Sequence, residues 1–171
     1  MSEQKARPNY KLEPTDSYIT FSLLNNIIGG PAMNSHLNIG IRERYGFCYT
    51  IESQYVPFSD AGLFYVYVGL ENDAIEQVRQ LIDKVISRFI EQPLSEQQLH
   101  AAQKQFIAQQ VIGNDTGLNE MQSIGKAYLN YSRVDTIDEM RHDIMQVSVG
   151  DLQRVAERYL RQECFSTLCY V

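Results

Sequence analysis

The chain has 171 residues, of which 44% are hydrophobic, and it carries a net charge of −6. This length is typical of one domain with a sizeable core, and no stretch approaches the ~18 uncharged apolar residues that a membrane-spanning helix needs. The acidic balance, without a dense Lys/Arg cluster, argues against a nucleic-acid partner. The composition therefore indicates a globular domain that binds neither nucleic acid nor membrane.

The N-terminus and the cysteines bear on the compartment. Residues 1–16 (MSEQKARPNYKLEPTD) contain no apolar core of a signal peptide. The cysteines Cys48, Cys164 and Cys169 are odd in number and lack zinc-like pairing, which favours reduced core thiols over a disulfide or a metal site. Both features favour a reducing, cytoplasmic location.

Two helices are predicted in the first quarter of the chain. Residues 1–15 form an extended lead-in with two prolines and little apolar periodicity. From Asp16 to Ile28 apolar residues recur at helical spacing, and the Gly-Gly-Pro that follows ends this helix. A shorter helix over about 35–44 places Leu37 and Ile41 on one face.

A β-hairpin is predicted next. Gly46 is the residue type that closes a helix in the left-handed conformation. Beyond it, Tyr49, Ile51, Ser53 and Tyr55 alternate with polar residues, which is the periodicity of a strand. The segment 63–70 (LFYVYVGL) is rich in aromatic and β-branched residues, so the two strands should pair in antiparallel fashion.

The rest of the chain is predicted to be helical almost to its end. Residues that can satisfy the unpaired N–H groups of a first turn mark five helix starts. These are Asp73 with Glu76, Ser95 with Gln98, Thr116 or Asp115, Thr136 with Glu139, and Ser148 with Asp151. The first of these helices has the core face Ile75, Val78, Ile82, Val85 and Phe89, and the third carries Leu118, Met121, Ile124 and Tyr128.

The last segment, 164–171 (CFSTLCYV), is short and apolar and is predicted to be a strand that returns to the sheet. The order helix, helix, strand, strand, several helices, strand indicates an α+β fold, with helices packed on one face of a mostly antiparallel sheet. Residues 16–171 would form this single domain. Three strands make a thin sheet for so many helices, which suggests that N-terminal strands are missing.

The sequence contains no evident metal or nucleophile site. His36, His100 and His142 have no second histidine at helical spacing, and neither His-x-x-Glu-His nor His-Glu-x-x-His occurs. We interpret the three as surface histidines. Cys48 has no histidine nearby in sequence to activate it, so a buried thiol is the default.

One stretch, 41–55 (IRERYGFCYTIESQY), could carry chemistry. Arg42 lies near the end of a helix, where a positive charge is favoured, and Tyr49 begins a strand. Architecture alone would explain both, as a helix-end charge and a half-buried strand aromatic. Alternatively, the helix end and the strand start bring a guanidinium and a phenol together, where they could hydrogen-bond the carbonyls of an extended peptide.

The segment SLLNNIIGGPAMNSHLNIGIRERYGFCYTIESQY resembles the second, non-catalytic half-domain of the insulinase (pitrilysin) family of zinc metallopeptidases. The pattern in that family is a Leu-Leu-Asn run, a Leu-Gly-Gly turn, a Ser-x-Leu and a helix ending in Arg-Glu-Lys-x-Gly before an aromatic-rich strand. The corresponding residues here are 23–25, 28–30, 35–37 and 42–46. The segments PLSEQQLHAAQKQF and VSVGDLQRVAERYL are also similar, so the resemblance covers roughly 16–171.

The resemblance implies that catalysis and substrate binding belong to different half-domains. In such peptidases the zinc and the catalytic base belong to the first half-domain, so zinc is expected in the parent enzyme and this chain alone is expected to be inactive. An Arg and a Tyr of the second half reach into the cleft, and Arg42 and Tyr49, with six residues between them, match that pair. They would orient a peptide substrate so that zinc-bound water can attack. The expected partners are this peptide and the catalytic half-domain.

Two departures from the family pattern matter. His36 stands where the family usually has Arg, and only a short segment precedes the first helix where the family has strands. A truncated sheet would leave an unpaired edge, which is a site for self-association. Two alternative functions remain. The first is a catalytically inactive structural or assembly subunit, in which Arg42 and Tyr49 serve only to stabilise the fold. The second is a stand-alone binding module with Cys48 as a redox site.

Overall fold

The computed structural model of the protein describes residues 18–58, 61–113, 116–132 and 134–170. The chain divides into two compact units. The first unit comprises Met1–Pro93 and Gly150–Val171, and the second comprises Leu94–Val149. The predicted lead-in, residues 1–15, lies outside the described residues.

The first unit is built on a β-hairpin. Its elements are α1 (Tyr18–Gly29), a π-helical segment (Asn38–Glu43), β1 (Cys48–Pro57), β2 (Gly62–Leu70), α2 (Ile75–Glu91) and all but the first residue of α6 (Val149–Tyr159). Short 3-10 turns lie at Asn72–Ala74 and Gln162–Cys164. β1 and β2 pair in antiparallel fashion, with Ile51 opposite Val68. Helices beside an antiparallel sheet confirm the predicted α+β class.

The core of this unit forms where α1 meets the hairpin. Leu23, Leu24 and Ile28 of α1 are fully buried, as their helical spacing predicts. The ring of Phe21 lies 4.5 Å from that of Tyr55 and makes edge contacts with further aromatic rings. These further rings are Phe64 at 5.6 Å and Tyr159 at 5.8 Å. Large apolar side chains at one interface supply most of the free energy that holds such a unit together.

Gly29 allows α1 to approach the hairpin closely. A Cβ atom at this position would lie 2.6 Å from Ser53 Oγ, 2.7 Å from the Ser53 backbone nitrogen and 2.7 Å from Leu37 Cδ1. The Ser53 hydroxyl donates a hydrogen bond to the Asn25 carbonyl oxygen at 3.2 Å. The glycine therefore does more than end the helix, because its missing side chain lets the last turn of α1 contact β1.

The second unit consists of helices with well-capped starts. Its helices are α3 (Glu96–Gly113), α4 (Gly117–Tyr131) and α5 (Ile137–Gln146). Thr136 and Glu139 form a capping box, and the Thr116 hydroxyl accepts a hydrogen bond from the backbone nitrogen of Asn119. Ser95 and Gln98 bond each other's backbone N–H groups before α3. These bonds confirm three predicted helix starts.

One buried side chain joins two helices of the second unit. The amide nitrogen of Gln103 on α3 donates to the carbonyl oxygens of Ile144 and Val147, both at 3.0 Å. Those carbonyls lie at the end of α5, where backbone acceptors lack a helical partner. Gln103 was not among the predicted core residues, because a polar residue on a helix is usually exposed.

Two features of the helices could not be read from the sequence pattern. The apolar face of α4, which includes Leu118, Met121 and Tyr128, is exposed. At the start of α2, the N-cap position is Ala74 without a side-chain hydrogen bond, in place of the predicted Asp73. Periodicity identified these helices, but it could not show whether their faces are covered or how the first turn is entered.

The core face of α2 is also shifted by part of a turn. Val78 and Phe89 are buried as predicted, whereas Ile82 and Val85 are only half-buried. Ile86, which was not predicted, is buried in their place.

Within the part of the chain that the structure describes, no helix combines the length and apolarity required to cross a membrane.

The predicted C-terminal strand is also wrong. Residues 165–170 have no strand structure and follow the 3-10 turn Gln162–Cys164. The ring of Phe165 contacts that of Phe64 at 6.0 Å, while Leu168 and Tyr170 are exposed. The segment therefore meets β2 through one aromatic side chain, whereas a strand must exchange backbone hydrogen bonds along an edge.

Candidate functional site

Arg42 lies in the π-helical segment Asn38–Glu43, on a rare backbone geometry that occurs frequently at functional sites. Its guanidinium donates from Nη1 to Asn38 Oδ1 at 3.5 Å. The Asn38 amide in turn donates to Ser35 Oγ at 2.9 Å, and both residues are buried. A guanidinium has five N–H donors, more than one amide oxygen can accept, so Arg42 is anchored and can still bind another acceptor.

Gly46 closes the turn between the helix and β1. Its φ is +67°, in the left-handed region, and its backbone nitrogen donates to the Arg42 carbonyl oxygen at 2.9 Å. Both observations confirm the prediction made from the glycine. The turn brings the chain back after Arg42, so that β1 begins six residues beyond it.

Tyr49 occupies a β-bulge at the start of β1. Cys48 pairs with Leu70 and Thr50 with Gly69, so Tyr49 is an extra residue on its strand. Regular alternation would place Tyr49 on the face of the buried Ile51, as the sequence predicted. The bulge places Tyr49 on the opposite face: Tyr49 is 65% exposed, whereas Cys48 is 6% exposed. The interpretation of Tyr49 as a half-buried aromatic is therefore wrong, and the bulge directs its phenol outward.

The Tyr49 hydroxyl donates a hydrogen bond to a carboxylate oxygen of Glu71. Glu71 directly follows β2, whose last residue, Leu70, pairs with Cys48. The antiparallel register thus brings this carboxylate to the bulge. Glu71 was not among the predicted site residues, because it lies just beyond the predicted strand 63–70. Its position opposite the bulge follows from the hairpin register.

Cys48 lies between the two predicted residues in the sequence. Burial raises the pKa of the Cys48 thiol, and the positive charge of Arg42 opposes part of this change, so the guanidinium acts on the first residue of β1. Tyr49 is the next residue along the chain. Along the chain, Arg42 therefore precedes β1 by six residues and Tyr49 is the second residue of that strand. Reactive cysteines have a lowered pKa, so this thiol does not favour the redox-module hypothesis.

The histidines differ from one another. His100 and His142 are exposed, as predicted. His36 is half-buried, with its ring edge-on to Phe89 at 4.9 Å, and burial together with the nearby charge of Arg88 lowers its pKa. The surface interpretation is thus wrong for His36, which packs against α2.

The described residues do not fit a zinc site. Among residues 18–58, 61–113, 116–132 and 134–170, no group of three or more His, Cys, Asp or Glu side chains could hold a metal ion. A catalytic zinc site requires three such protein ligands. We therefore derive no chemical step through a metal held by these residues.

The chain matches a known family model and is similar to known proteins. Residues 5–106 match the family model described as the peptidase M16 inactive domain. The chain is 31% identical over 139 residues to an uncharacterized zinc protease of Streptomyces coelicolor. The aligned residues cover 81% of this chain and 30% of that protein. The chain spans about a third of the length of the curated relatives that it matches.

Solved structures share the fold. A peptidase M16 inactive domain from Pseudomonas fluorescens superimposes with a TM-score of 0.73 at 16% identity, over 88% of this chain and 35% of that one. A chain in the structure of Complex III2 from Candida albicans has the same TM-score at 15% identity, over 88% of this chain and 37% of that one.

Proposed function

The chain belongs to the peptidase M16 inactive domain family, and we propose that it is the half-domain that binds the peptide substrate of a zinc metallopeptidase. The match confirms the resemblance to the non-catalytic half of insulinase-type enzymes, and with it the coarse role of a non-catalytic domain in a zinc protease family. The finer role, contact with the substrate, is our proposal.

The observation that carries the proposal is the exposure of Tyr49 at a bulge, seven residues after Arg42, whose guanidinium donates to Asn38. A bulge interrupts the ladder, and a π-helical segment loses regular helix geometry, so neither irregularity is expected where only stability matters. Here both occur within twelve residues, at 38–49. They carry a cation that hydrogen-bonds Asn38 and a phenol that hydrogen-bonds Glu71.

These groups suit the backbone of an extended peptide. A guanidinium donates to carbonyl oxygens, and a phenol can both donate and accept. Two fixed contacts on one peptide limit its translation and rotation, which places the scissile bond for attack. The arrangement therefore supports orientation of a substrate whose chemistry is carried out elsewhere.

Zinc and the catalytic base would come from the other half of the protease. Relatives are named zinc proteases, and this chain spans about a third of their length. When bound there, zinc would polarise the peptide carbonyl and activate a water. The catalytic half-domain is thus the partner that we propose, in the same protein or in a separate subunit.

The test is Arg42→Ala in the protease assembled with its catalytic half. A hydrogen bond to a charged group is worth about 1.5–3 kcal/mol, so kcat/KM for a fluorogenic peptide should fall about 10- to 150-fold. Arg44→Ala is the matched control, because Arg44 is a neighbouring arginine that is exposed and lies over the Tyr45 ring. Equal activity of Arg42→Ala and wild type would overturn the proposal.

A structural subunit is the second candidate. The observation that favours it is the fold shared with a chain of Complex III2 from Candida albicans, which is named as a complex and not as a protease. In this case Arg42→Ala would leave peptide cleavage unchanged in any complex that contains the chain. Loss of the chain would instead dissociate the complex, as measured by its sedimentation.

A further inference from the structure

We propose that Glu71 is a positioning residue that sets the hydrogen-bonding direction of Tyr49. In this arrangement the phenol oxygen accepts a backbone N–H of the bound peptide, while Arg42 donates to a carbonyl oxygen. The inference rests on the proposed peptide-binding function. It differs from the sequence-based hypothesis, in which both side chains hydrogen-bond carbonyls.

The direction follows from the chemistry of the contact. The Tyr49 hydroxyl has one proton, and it donates this proton to the Glu71 carboxylate. An ionised carboxylate is an acceptor only, so the bond cannot run the other way. The phenol oxygen then has only acceptor capacity left for a ligand, and the ligand group that it suits is an N–H.

The backbone holds Glu71 in position for this role. Its carbonyl oxygen accepts from the Ala74 nitrogen at 3.1 Å, which closes the 3-10 turn after β2. On its other side, Leu70 pairs with Cys48 in the sheet. The backbone of Glu71 is thus tied to the hairpin end that carries the bulge, within reach of Tyr49.

The resulting pair matches one strand of peptide. An extended backbone offers an N–H and a C=O at each residue. A donor at Arg42 and an acceptor at Tyr49 complement these two groups, whereas two donors would match only carbonyls. The consequence is a requirement for a free N–H at one substrate position, where proline, an N-methyl group or an ester would be disfavoured.

The experiment uses a series of otherwise identical peptide substrates, each with one amide N–H near the cleavage site replaced by an ester oxygen. The scissile bond itself is kept. The assembled wild-type protease should lose about 2- to 12-fold in kcat/KM at one position of the series, since one neutral hydrogen bond is worth about 0.5–1.5 kcal/mol. Tyr49→Phe should show no extra loss at this position.

Glu71→Gln tests the positioning role directly. A glutamine amide can donate as well as accept, so Tyr49 would no longer be held as an acceptor, and the discrimination against the ester should shrink. Glu71→Ala should behave in the same way. The matched control is Glu52→Gln, a β1 glutamate that bonds Gln54 and should retain the wild-type discrimination. Thermal melts of each variant verify that the domain is folded.

The outcomes separate the two proposals. If Arg42→Ala lowers activity but Glu71→Gln keeps the full wild-type discrimination, Glu71 does not position Tyr49 and the substrate-binding function stands. If wild type and Tyr49→Phe discriminate equally at every position, Tyr49 is not the acceptor. If Arg42→Ala leaves activity unchanged, the proposed function itself is overturned.

Discussion

Helices α1 and α4 both carry apolar residues at helical spacing, but these residues have opposite environments. In α1 the periodic residues Leu23, Leu24 and Ile28 are buried within the first unit. In α4 the corresponding face, with Leu118 and Met121, is exposed among the described residues. The difference shows that periodicity predicts where a helix forms, whereas burial depends on which neighbour the fold supplies.

The two units also differ in how regular they are. The helices of the second unit begin at well-formed caps, and their geometry follows directly from local sequence. The first unit contains the π-helical segment, the bulge and the close contact at Gly29. Its candidate site lies at these irregular positions, which are the ones that local rules do not generate.

The largest effect should come from Leu24 in α1. This side chain is 1% exposed, so Leu24→Ala should reduce the free energy of unfolding by about 2.7–5 kcal/mol through lost burial and a cavity. The matched control is Leu129→Ala in α4, where the side chain is 85% exposed and the change should stay within about 0.5 kcal/mol. Chemical denaturation of the isolated chain measures both.

A large loss for Leu129→Ala would break the comparison, because it would mean that the α4 face is covered in the chain in solution. The same measurement on the assembled protease would then show whether the catalytic half adds to that loss.

The glycines of the two helices should respond in opposite directions. Gly29→Ala places a Cβ against a backbone atom and two side-chain atoms, and overpacking of this kind costs about 1–3 kcal/mol. Gly125, inside α4, has no atom within 4 Å of an added Cβ, so Gly125→Ala should gain about 0.5–1 kcal/mol from helix propensity. Denaturation midpoints that move in the same direction would refute the assignment of close packing to Gly29.

Much of the fold could be predicted from local signals. The hairpin followed from alternation and β-branched composition, and the starts of α3, α4 and α5 followed from Ser95, Thr116 and Thr136. These features depend on residues a few positions apart. The C-terminal strand failed because strand formation needs a partner edge, which a segment's own composition cannot supply.

Of the candidate site, the sequence predicted only Arg42 and Tyr49. Arg42 and Tyr49 were found through their spacing and a family resemblance, but the residues that hold them were not. Asn38 is an unremarkable polar residue in sequence, and Glu71 meets Tyr49 only through the strand register and the bulge. A single extra residue in a ladder has no local signature, so sequence alone could not place the phenol outward.

The smallest effect concerns the histidines and pH. His36 in the first unit has a lowered pKa because of burial and Arg88, so the folded state favours its neutral form. As the pH falls below about 6.5, the unfolded chain binds a proton before the folded one, and stability is lost until the folded pKa is passed. His36→Gln should therefore reduce the loss of unfolding free energy between pH 7.5 and pH 5. Identical pH dependence of His36→Gln and wild type would contradict the assignment of this loss to His36.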